Sequence, residues 1–471
     1  MNVLCGVCRC YGNKGVAVLF CIGVYALSSL LVRNGRIVYP WGVVEADLYI
    51  VDGVVKAVGH GLRADGVEVV DASGKLVIPG VIDDHVHMRE PGLEYKDDFT
   101  RGTLDALTGG VTTVLEMPNT LPPVDSAERL IEKRRLLEPK AYVDFSLYGV
   151  VHNSNVGEME AMVKAGAVGF KIFLGPTTGN IPPPSTKSLY EAMARAVELD
   201  TVLAFHAEDW DLVRYFTERV RASGRNDPLA HLEARPPVCE ELAIRRLAVL
   251  ARYTGARIHI VHVTSCEAVE AIRDAMETGV RISGETNPHY LLLDSRDYSR
   301  YGTLIKVNPP IREPRHRECL WKAIYDGVIT VIGSDHAPHS TEEKNRDIWS
   351  APGGFPGVAT LLPLMIDQAL RGKLDLTMIP RLLSENPAKL FKLYPQKGCL
   401  HPGCDGDLVV IDPSSETIID REKLHTKHKL TPFHGWRLKG RIEYVVLRGN
   451  IIYRDGEIID NPIGKFIRPV K

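Results

Sequence analysis

The sequence predicts an α/β fold, a closed (β/α)8 TIM-like barrel joined to a small β-sandwich domain formed by the N- and C-terminal segments. Three observations support this fold. Eight apolar, β-branched runs alternate with helical stretches through the middle of the chain. Short strands and turns fill both ends. Histidine and aspartate residues recur where the apolar runs end, which is where barrel enzymes place their reactive groups.

The eight apolar runs define the barrel strands. They occupy residues 75–83, 111–117, 143–151, 167–174, 202–208, 257–263, 280–286 and 328–335. Helical stretches such as DDFTRGTLDALTGG and KSLYEAMARAVELD separate them. Continuous apolar strands that alternate with helices indicate a parallel sheet, and eight such units suggest closure into a barrel. An open doubly wound sheet is the alternative, but no Gly-x-Gly-x-x-Gly follows the first run.

The terminal segments predict the second domain. Residues 30–75 form its first part, residues 76–394 form the barrel, and residues 395–471 form its second part. Asn34-Gly35 and Asp52-Gly53 have the composition of hairpin turns. Two β segments at opposite ends of a chain can pair into one small sandwich.

Residues 1–29 precede the predicted fold as an N-terminal extension. Residues 15–32 carry no charge and approach the length of a membrane span. Yet the first strand already begins near residue 30, so no linker would separate a membrane from the domain. A start codon assigned too early, a membrane anchor or signal peptide, and an appended element all remain open.

Composition excludes several classes of protein. The chain has 471 residues, of which 45% are hydrophobic and 25% charged, as in ordinary globular proteins. A formal charge of −2 argues against a general nucleic-acid or membrane-surface binder. The scattered cysteines do not resemble a secreted disulfide framework, so we expect a cytoplasmic protein. Cys5, Cys8 and Cys10 hint at a metal site, but no second cluster completes one.

The ends of four predicted strands carry a candidate metal site. His85 and His87 are two residues apart on the first strand, so both imidazoles point to the same face. His206, His262 and Asp335 end the fifth, sixth and eighth strands. Neutral imidazoles with a carboxylate are the usual ligands of zinc. Five independently buried polar residues would instead each need a separate partner.

Lys171 lies inside the apolar run GFKIFL near the end of the fourth strand. An uncompensated ammonium there would be costly to desolvate. Its head could reach the barrel mouth, its pKa could fall, or carbon dioxide could convert the amine into a carboxylate-like carbamate. The carbamate could bridge two metals.

Such a site predicts reversible hydrolysis of an amide-like bond. Two zinc ions would polarise a carbonyl and generate a bridging hydroxide near neutral pH. Asp335 could bind one metal, accept a proton from that hydroxide and pass it to a leaving nitrogen.

Ordered sequence blocks across residues 31–455 or so resemble dihydroorotases of the cyclic-amidohydrolase superfamily. The first block is DDHVHMREPG at residues 83–92. Further blocks are MPNTLPPVDS (117–126), GFKIFLG (169–175), HAED (206–209), HVTS (262–265), KVNPPIRE (306–313) and GSDHAPH (333–339). The resemblance implies that the small-molecule substrate pair is N-carbamoyl-L-aspartate and L-dihydroorotate, interconverted in pyrimidine biosynthesis. Homodimers are common in that family, but the sequence leaves open both a homodimer and an association with aspartate transcarbamoylase.

The resemblance further implies the metal ligands. His85, His87 and Asp335 would hold one Zn²⁺, and His206 and His262 would hold a second. Lys171, carboxylated on its side-chain nitrogen, would bridge them. Some dihydroorotases carry an aspartate instead of the modified lysine, but GFKIFL is similar to the lysine-bearing type.

The same resemblance places the substrate residues. Arg89 supplies a positive fork for the carboxylate of dihydroorotate. Allantoinases and dihydropyrimidinases are similar in their metal ligands but lack an arginine at this place. Asn119 and His339 match residues that help Arg89, and Asn308 matches a contact to the ring edge.

The loop GPTTGNIPPP follows Lys171 and resembles a mobile lid, in which Thr177 or Thr178 would touch the substrate. Its prolines could instead make it a stiff spacer. His289 near the seventh strand could line the site or contact metal, and we assign no role to His336. Two alternatives to dihydroorotase remain, an allantoinase or hydantoinase-like cyclic amidase and an inactive scaffold homologue.

Overall fold

A computed structural model describes residues 29–177, 181–459 and 461–470. The interpretations of the N-terminal extension, the cysteine cluster within it and Thr178 lie outside these residues. Among the described helices, none combines the length and the apolar character that crossing a membrane requires.

Parallel strands in the middle of the chain form the predicted barrel. Strands β6 to β8 form one sheet and β9 to β14 another, and β8 and β9, which only Tyr148 separates, are two halves of the third barrel strand. A parallel bridge between Val86 and His336 brings the end of β6 next to the segment after β14. The (β/α)8 barrel is therefore confirmed. Its strands are β6 (Val81–Val86), β7 (Val111–Glu116), β8 (Asp144–Leu147), β9 (Gly149–Val150), β10 (Phe170–Phe173), β11 (Val202–His206), β12 (Arg257–Ile260), β13 (Ile282–Thr286) and β14 (Ile329–Ile332).

Helices follow the barrel strands, and side-chain caps fix where several begin. Asp98, Ser126, Ser185, Asp209 and Ser265 each accept a hydrogen bond from a backbone N–H in the first turn of the following helix. The helices are α1 (Phe99–Thr108), α2 (Ala127–Leu137), α3 (Met159–Ala165), α4 (Thr186–Glu198), α5 (Trp210–Ala222), α6 (Leu229–Glu233), α7 (Val238–Thr254), α8 (Cys266–Glu277), α9 (Pro288–Leu292), α10 (Tyr298–Tyr301), α11 (Pro314–Tyr325), α12 (Thr341–Lys344), α13 (Val358–Leu370), α14 (Met378–Pro380) and α15 (Asn386–Leu390).

The two terminal segments form one nine-stranded sheet, as predicted. Its order is β18-β17-β16-β15-β5-β1-β2-β3, with β4 paired to β1. Buried apolar residues from both segments, including Leu30, Leu48, Val410 and Val446, share a single core. The strands are β1 (Ser29–Tyr39), β2 (Gly42–Val51), β3 (Val54–Gly59), β4 (Glu68–Asp71), β5 (Leu76–Pro79), β15 (Leu408–Ile418), β16 (Arg437–Leu447), β17 (Asn450–Arg454) and β18 (Glu457–Ile458). A Cys399–Cys404 disulfide, which the sequence analysis did not foresee, lies just before β15.

The predicted first barrel strand at 75–83 is two strands in the structure. β5 pairs with β1 and β15 in the terminal sheet, and the barrel begins only at β6. Gly80 stands between them, where a Cβ atom would lie 2.1 Å from Thr112 Oγ1. The chain therefore crosses from one domain to the other at a glycine that permits close packing.

The prediction of a hairpin turn at Asn34-Gly35 is wrong. β1 runs through both residues, with a shift of register between Val32 and Gly35 against β2. Asn34 has a φ of 57°, which is typical of a bulge rather than a regular strand position. The turn predicted at Asp52-Gly53 does join β2 to β3.

Candidate active site

The predicted reactive residues meet in one cavity of about 340 Å³ at the carboxyl ends of the barrel strands. All the predicted site residues that the structure describes line it. They are His85, His87, Arg89, Asn119, Lys171, Thr177, His206, His262, Asn308, Asp335 and His339. The barrel therefore gathers residues that are up to 254 positions apart in the sequence (339 − 85).

The candidate metal ligands form two adjacent groups. His85 Nε2 and His87 Nε2 each lie 3.4 Å from Asp335 Oδ1. His206 Nδ1 lies 3.0 Å from His262 Nε2. The ring centroids of His85 and His262 are 5.4 Å apart, so the groups are neighbours.

Lys171 lies in the barrel interior, next to the group formed by His85, His87 and Asp335. It lies in β10, its side chain is fully buried, and its Nζ is 3.3 Å from His85 Nε2. Burial lowers the pKa of Lys171 to about 8, even though neighbouring carboxylates oppose the shift. Such an amine loses its proton readily, and the neutral amine is the form that reacts with carbon dioxide.

Hydrogen bonds fix which nitrogen each of three imidazoles offers to a metal. His85 Nδ1 lies 3.1 Å from Glu285 Oε1, and His87 Nδ1 lies 2.7 Å from Asn119 Oδ1. Since both partners accept, these Nδ1 atoms carry protons and the Nε2 lone pairs face Asp335. His206 uses its ring nitrogens the other way round. Its Nε2 carries the proton, because it lies 2.8 Å from Glu208 Oε2, and its Nδ1 faces His262. The donor atoms that remain therefore converge, as a metal site requires.

The protonation states of the site residues also favour metal binding. Burial lowers the pKa of His87 to about 3 and that of His262 well below its usual value. Burial would raise the pKa of Asp335, but the neighbouring His85 and His87 imidazoles lower it well below its usual range. Neutral imidazoles beside an ionised carboxylate are the protonation states that bind a divalent metal.

Unusual backbone conformations aim three of these side chains. Arg89, His262 and Asp335 have φ values of 69°, 44° and 47°, in the left-handed region that residues other than glycine rarely adopt. Each lies just after a barrel strand. The turn lets a side chain that follows a strand point into the barrel mouth, and such strain is typical of functional sites.

Arg89, Asn119 and His339 form one wall of the cavity beside the metal ligands. Arg89 is 3% exposed, and its Nε donates to Pro338 O at 2.9 Å. Burial lowers the pKa of Arg89 to about 10, so its guanidinium stays charged at neutral pH. Asn119 Nδ2 donates to Thr177 Oγ1 at 3.2 Å. Within the described chain, no group accepts a hydrogen bond from Arg89 Nη1, which leaves this donor for a ligand.

Four residues at the site escaped the sequence analysis. Glu208 and Glu285 hold histidines, Arg235 lines the cavity and donates to Glu208, and Lys96 contacts His339. The motif HAED places Glu208 two residues after His206, so position beside a candidate ligand was an available signal for Glu208, whereas Glu285 lies far from His85 in the sequence. Neither Arg235 nor Lys96 lies at a strand end, so the pattern used for the histidines could not find them.

Two further histidines lie beside the cavity without lining it. His336 Nδ1 accepts from the backbone N–H groups of Gly357 and Val358, so the ring faces away. His289 packs its ring against Tyr290 and Phe355, with centroids 4.1 and 5.2 Å away.

The fold and this site define a class of protein. Residues 76–452 match the model of the amidohydrolase family, and the chain belongs to that family.

Individual relatives carry different names. An allantoinase of Rubrobacter xylanophilus is 36% identical over 445 residues, which cover 94% of this chain and 98% of that protein. A dihydroorotase of Geobacter sp. (strain M21) is 36% identical over 438 residues, covering 91% of this chain and all of that protein. The structure of an L-hydantoinase from Arthrobacter aurescens superposes with a TM-score of 0.91 at 33% identity, covering 94% of this chain and all of that one. These relatives differ in name, so the comparisons show the family but do not select one substrate.

Proposed function

We propose that this amidohydrolase is a dihydroorotase, which interconverts N-carbamoyl-L-aspartate and L-dihydroorotate. The observation that carries the proposal is the buried Arg89 guanidinium beside the metal ligands. A buried charge without an ionic ligand is costly, whereas a carboxylate can take bidentate hydrogen bonds from its fork. Dihydroorotate carries such a carboxylate on its ring, and allantoin and dihydrouracil carry none in that position.

Two Zn²⁺ ions fit the donor atoms described above. His85, His87 and Asp335 would hold one ion and His206 and His262 the other, with Lys171 carboxylated between them. When bound, the ions would polarise the ring carbonyl and lower the pKa of water. Four imidazole donors and one carboxylate match the known preferences of zinc.

Asp335 is the proposed acid and base. Its carboxylate is ionised and faces the cavity, so it can take the proton of the attacking water. As the C–N bond of the ring breaks, the same proton passes to the departing nitrogen. Arg89 and Asn119 hold the ring carboxylate, with His339 beside the Arg89 guanidinium. Asn308 contacts the ring edge, and Thr177 covers the ring from its loop.

The proposal is tested by an ultraviolet assay of the zinc-loaded enzyme with L-dihydroorotate, N-carbamoyl-L-aspartate, allantoin and dihydrouracil. We expect turnover of the first two compounds only. We also expect Arg89→Met to lower kcat/KM for dihydroorotate by roughly 100-fold or more, because a charge-assisted bidentate contact is lost. Arg246→Met, at a half-buried position of α7 that does not line the cavity, is the matched control, and we expect it to keep full activity.

An allantoinase or hydantoinase-like cyclic amidase is the second candidate, because relatives with these names match the chain as closely. Turnover of allantoin or dihydrouracil alone would establish it and would remove Arg89 from the role of selector. An inactive scaffold is the third. Protein purified without chelator that contains almost no zinc and turns over none of the four compounds would favour the scaffold.

A further inference from the structure

Two loops meet behind the proposed carboxylate site through a buried lysine. Lys96, in the loop before α1, is 6% exposed, and its Nζ lies 3.0 Å from His339 Nδ1. Its Nζ also lies 3.1 Å from Glu343 Oε1 in α12. The other side of the His339 ring faces the cavity, where its Nε2 lies 3.2 Å from Arg89 Nη2 and 3.1 Å from Gly353 O.

These contacts impose one arrangement of hydrogens on His339. An ammonium group only donates, so the short contact with Lys96 requires a lone pair on Nδ1. A neutral ring then carries its proton on Nε2, which donates to Gly353 O. Nε2 cannot accept from Arg89 in that state. Both terminal nitrogens of the Arg89 fork thus remain available to a carboxylate.

The other tautomer would have the opposite effect. With the proton on Nδ1, the ring would donate to Glu343 Oε2, which lies at the longer distance of 3.5 Å. Nε2 would then accept from Arg89 Nη2, and one of the four terminal N–H groups of the guanidinium would no longer be free for the substrate. Gly353 O would lose its hydrogen bond at the same time.

We propose that Lys96 is a positioning residue that holds His339 as the Nε2–H tautomer and thereby keeps the Arg89 fork free for a substrate carboxylate. This inference rests on the proposed function for its substrate. Its structural part, the tautomer, does not depend on which compound the enzyme turns over.

The test combines a spectrum with kinetics on the zinc-loaded, full-length enzyme. ¹⁵N-histidine labelling and long-range ¹H–¹⁵N correlation report which ring nitrogen carries the proton, and His339→Asn assigns the signals. We expect Nε2–H in the wild type, Nδ1–H in Lys96→Met, and Nε2–H again in Lys96→Arg, which keeps a group that only donates. The spectrum is recorded without substrate.

Kinetics then separate positioning from general damage. Loss of one donor to a charged carboxylate predicts that KM for L-dihydroorotate rises roughly tenfold or more in Lys96→Met, with a much smaller change in kcat. Lys96→Arg is expected to restore KM. Because this conservative variant also restores the positive charge, the spectrum and KM must change together in each variant.

Each outcome decides a separate question. A wild-type spectrum with Nδ1–H would overturn the inference even if Lys96→Met fails to fold. An unchanged tautomer or an unchanged KM in a folded Lys96→Met would overturn it while leaving dihydroorotase activity in place. A wild type that turns over no dihydroorotate would instead reject the proposed function, and the spectra would still decide what holds His339.

Discussion

At the scale of single residues, burial determines which chemical form of the Lys171 side chain is stable. A long cationic side chain in an apolar strand is stable only if its charge is neutralised or compensated. Among the residues that the structure describes, its Nζ contacts His85 and forms no ion pair with a carboxylate. The proposed carboxylation would turn this cation into an anion beside the two proposed zinc positions, and metal binding would then compensate the charge.

Replacement of Lys171 by alanine tests this role. We expect Lys171→Ala to lose much of its bound zinc and to lower kcat/KM roughly 100-fold or more, because the bridging anion is missing. A short carboxylic acid added to the solution should enter the vacated space and restore part of both. Metal analysis and the ultraviolet assay measure the two effects.

Lys164→Ala provides the control, because Lys164 is an exposed lysine on α3 that pairs only with Glu160. Unaltered zinc content and activity in Lys171→Ala would show that Lys171 bridges nothing.

The residues that line the site could be predicted from the sequence, but most of their supporting partners could not. His85 and His87 lie in a short motif at a strand end, and that periodicity is local information. Glu285, which fixes the tautomer of His85, is 200 residues away and enters only when the barrel closes. Lys96 likewise meets His339 across 243 residues.

At the scale of elements, local composition and long-range packing sometimes disagree. Asn34-Gly35 has the residues of a hairpin turn, yet β1 continues through it. A Cβ on Gly35 would lie 2.7 Å from Val77 Cγ2 of β5, so the glycine serves close strand packing. Asn34 is held by hydrogen bonds with Asp47 and Asp71. Neither partner strand is evident from the dipeptide alone.

The contact between α1 and the loop at residues 424–429 predicts a pH dependence of stability. Asp105 on α1 is 1% exposed and accepts hydrogen bonds from the N–H groups of His425 and Thr426. Burial raises the pKa of Asp105 to about 7. The folded state therefore keeps a proton that the unfolded state releases near pH 4, and the free energy of unfolding falls as the pH rises from about 4 to 7.

Asp105→Asn should flatten this dependence by an amount on the order of a few kcal/mol, because an amide does not titrate. Urea unfolding at pH 5 and pH 7.5 measures it. Asp211→Asn, at an exposed position on α5, should keep the wild-type slope. Equal slopes in wild type and Asp105→Asn would show that another group carries the proton.

At the scale of the whole molecule, a buried charge network joins the barrel to the C-terminal part of the chain. Lys397 Nζ lies 2.5 Å from Asp144 Oδ2 in β8, and 2.8 and 2.6 Å from Asp405 and Asp407 before β15. Asp144 also accepts from Arg448 in the turn after β16. The three carboxylates could suggest a metal site, but the lysine ammonium already lies among them.

Removal of that ammonium therefore tests what joins the domains. Lys397→Met leaves three carboxylates in a buried setting, and we expect the free energy of unfolding to fall by about 3–5 kcal/mol. Lys392→Met is the matched control, because Lys392 is more exposed and pairs with Asp200 at the surface, where a loss of about 0–1 kcal/mol is expected. Urea unfolding compares the two variants.

Because no residue of this network lines the active-site cavity, kcat/KM of the folded Lys397→Met enzyme should match the wild type. Equal losses of stability in the two variants would mean that apolar packing between the domains, rather than this network, holds the barrel and the terminal sheet together.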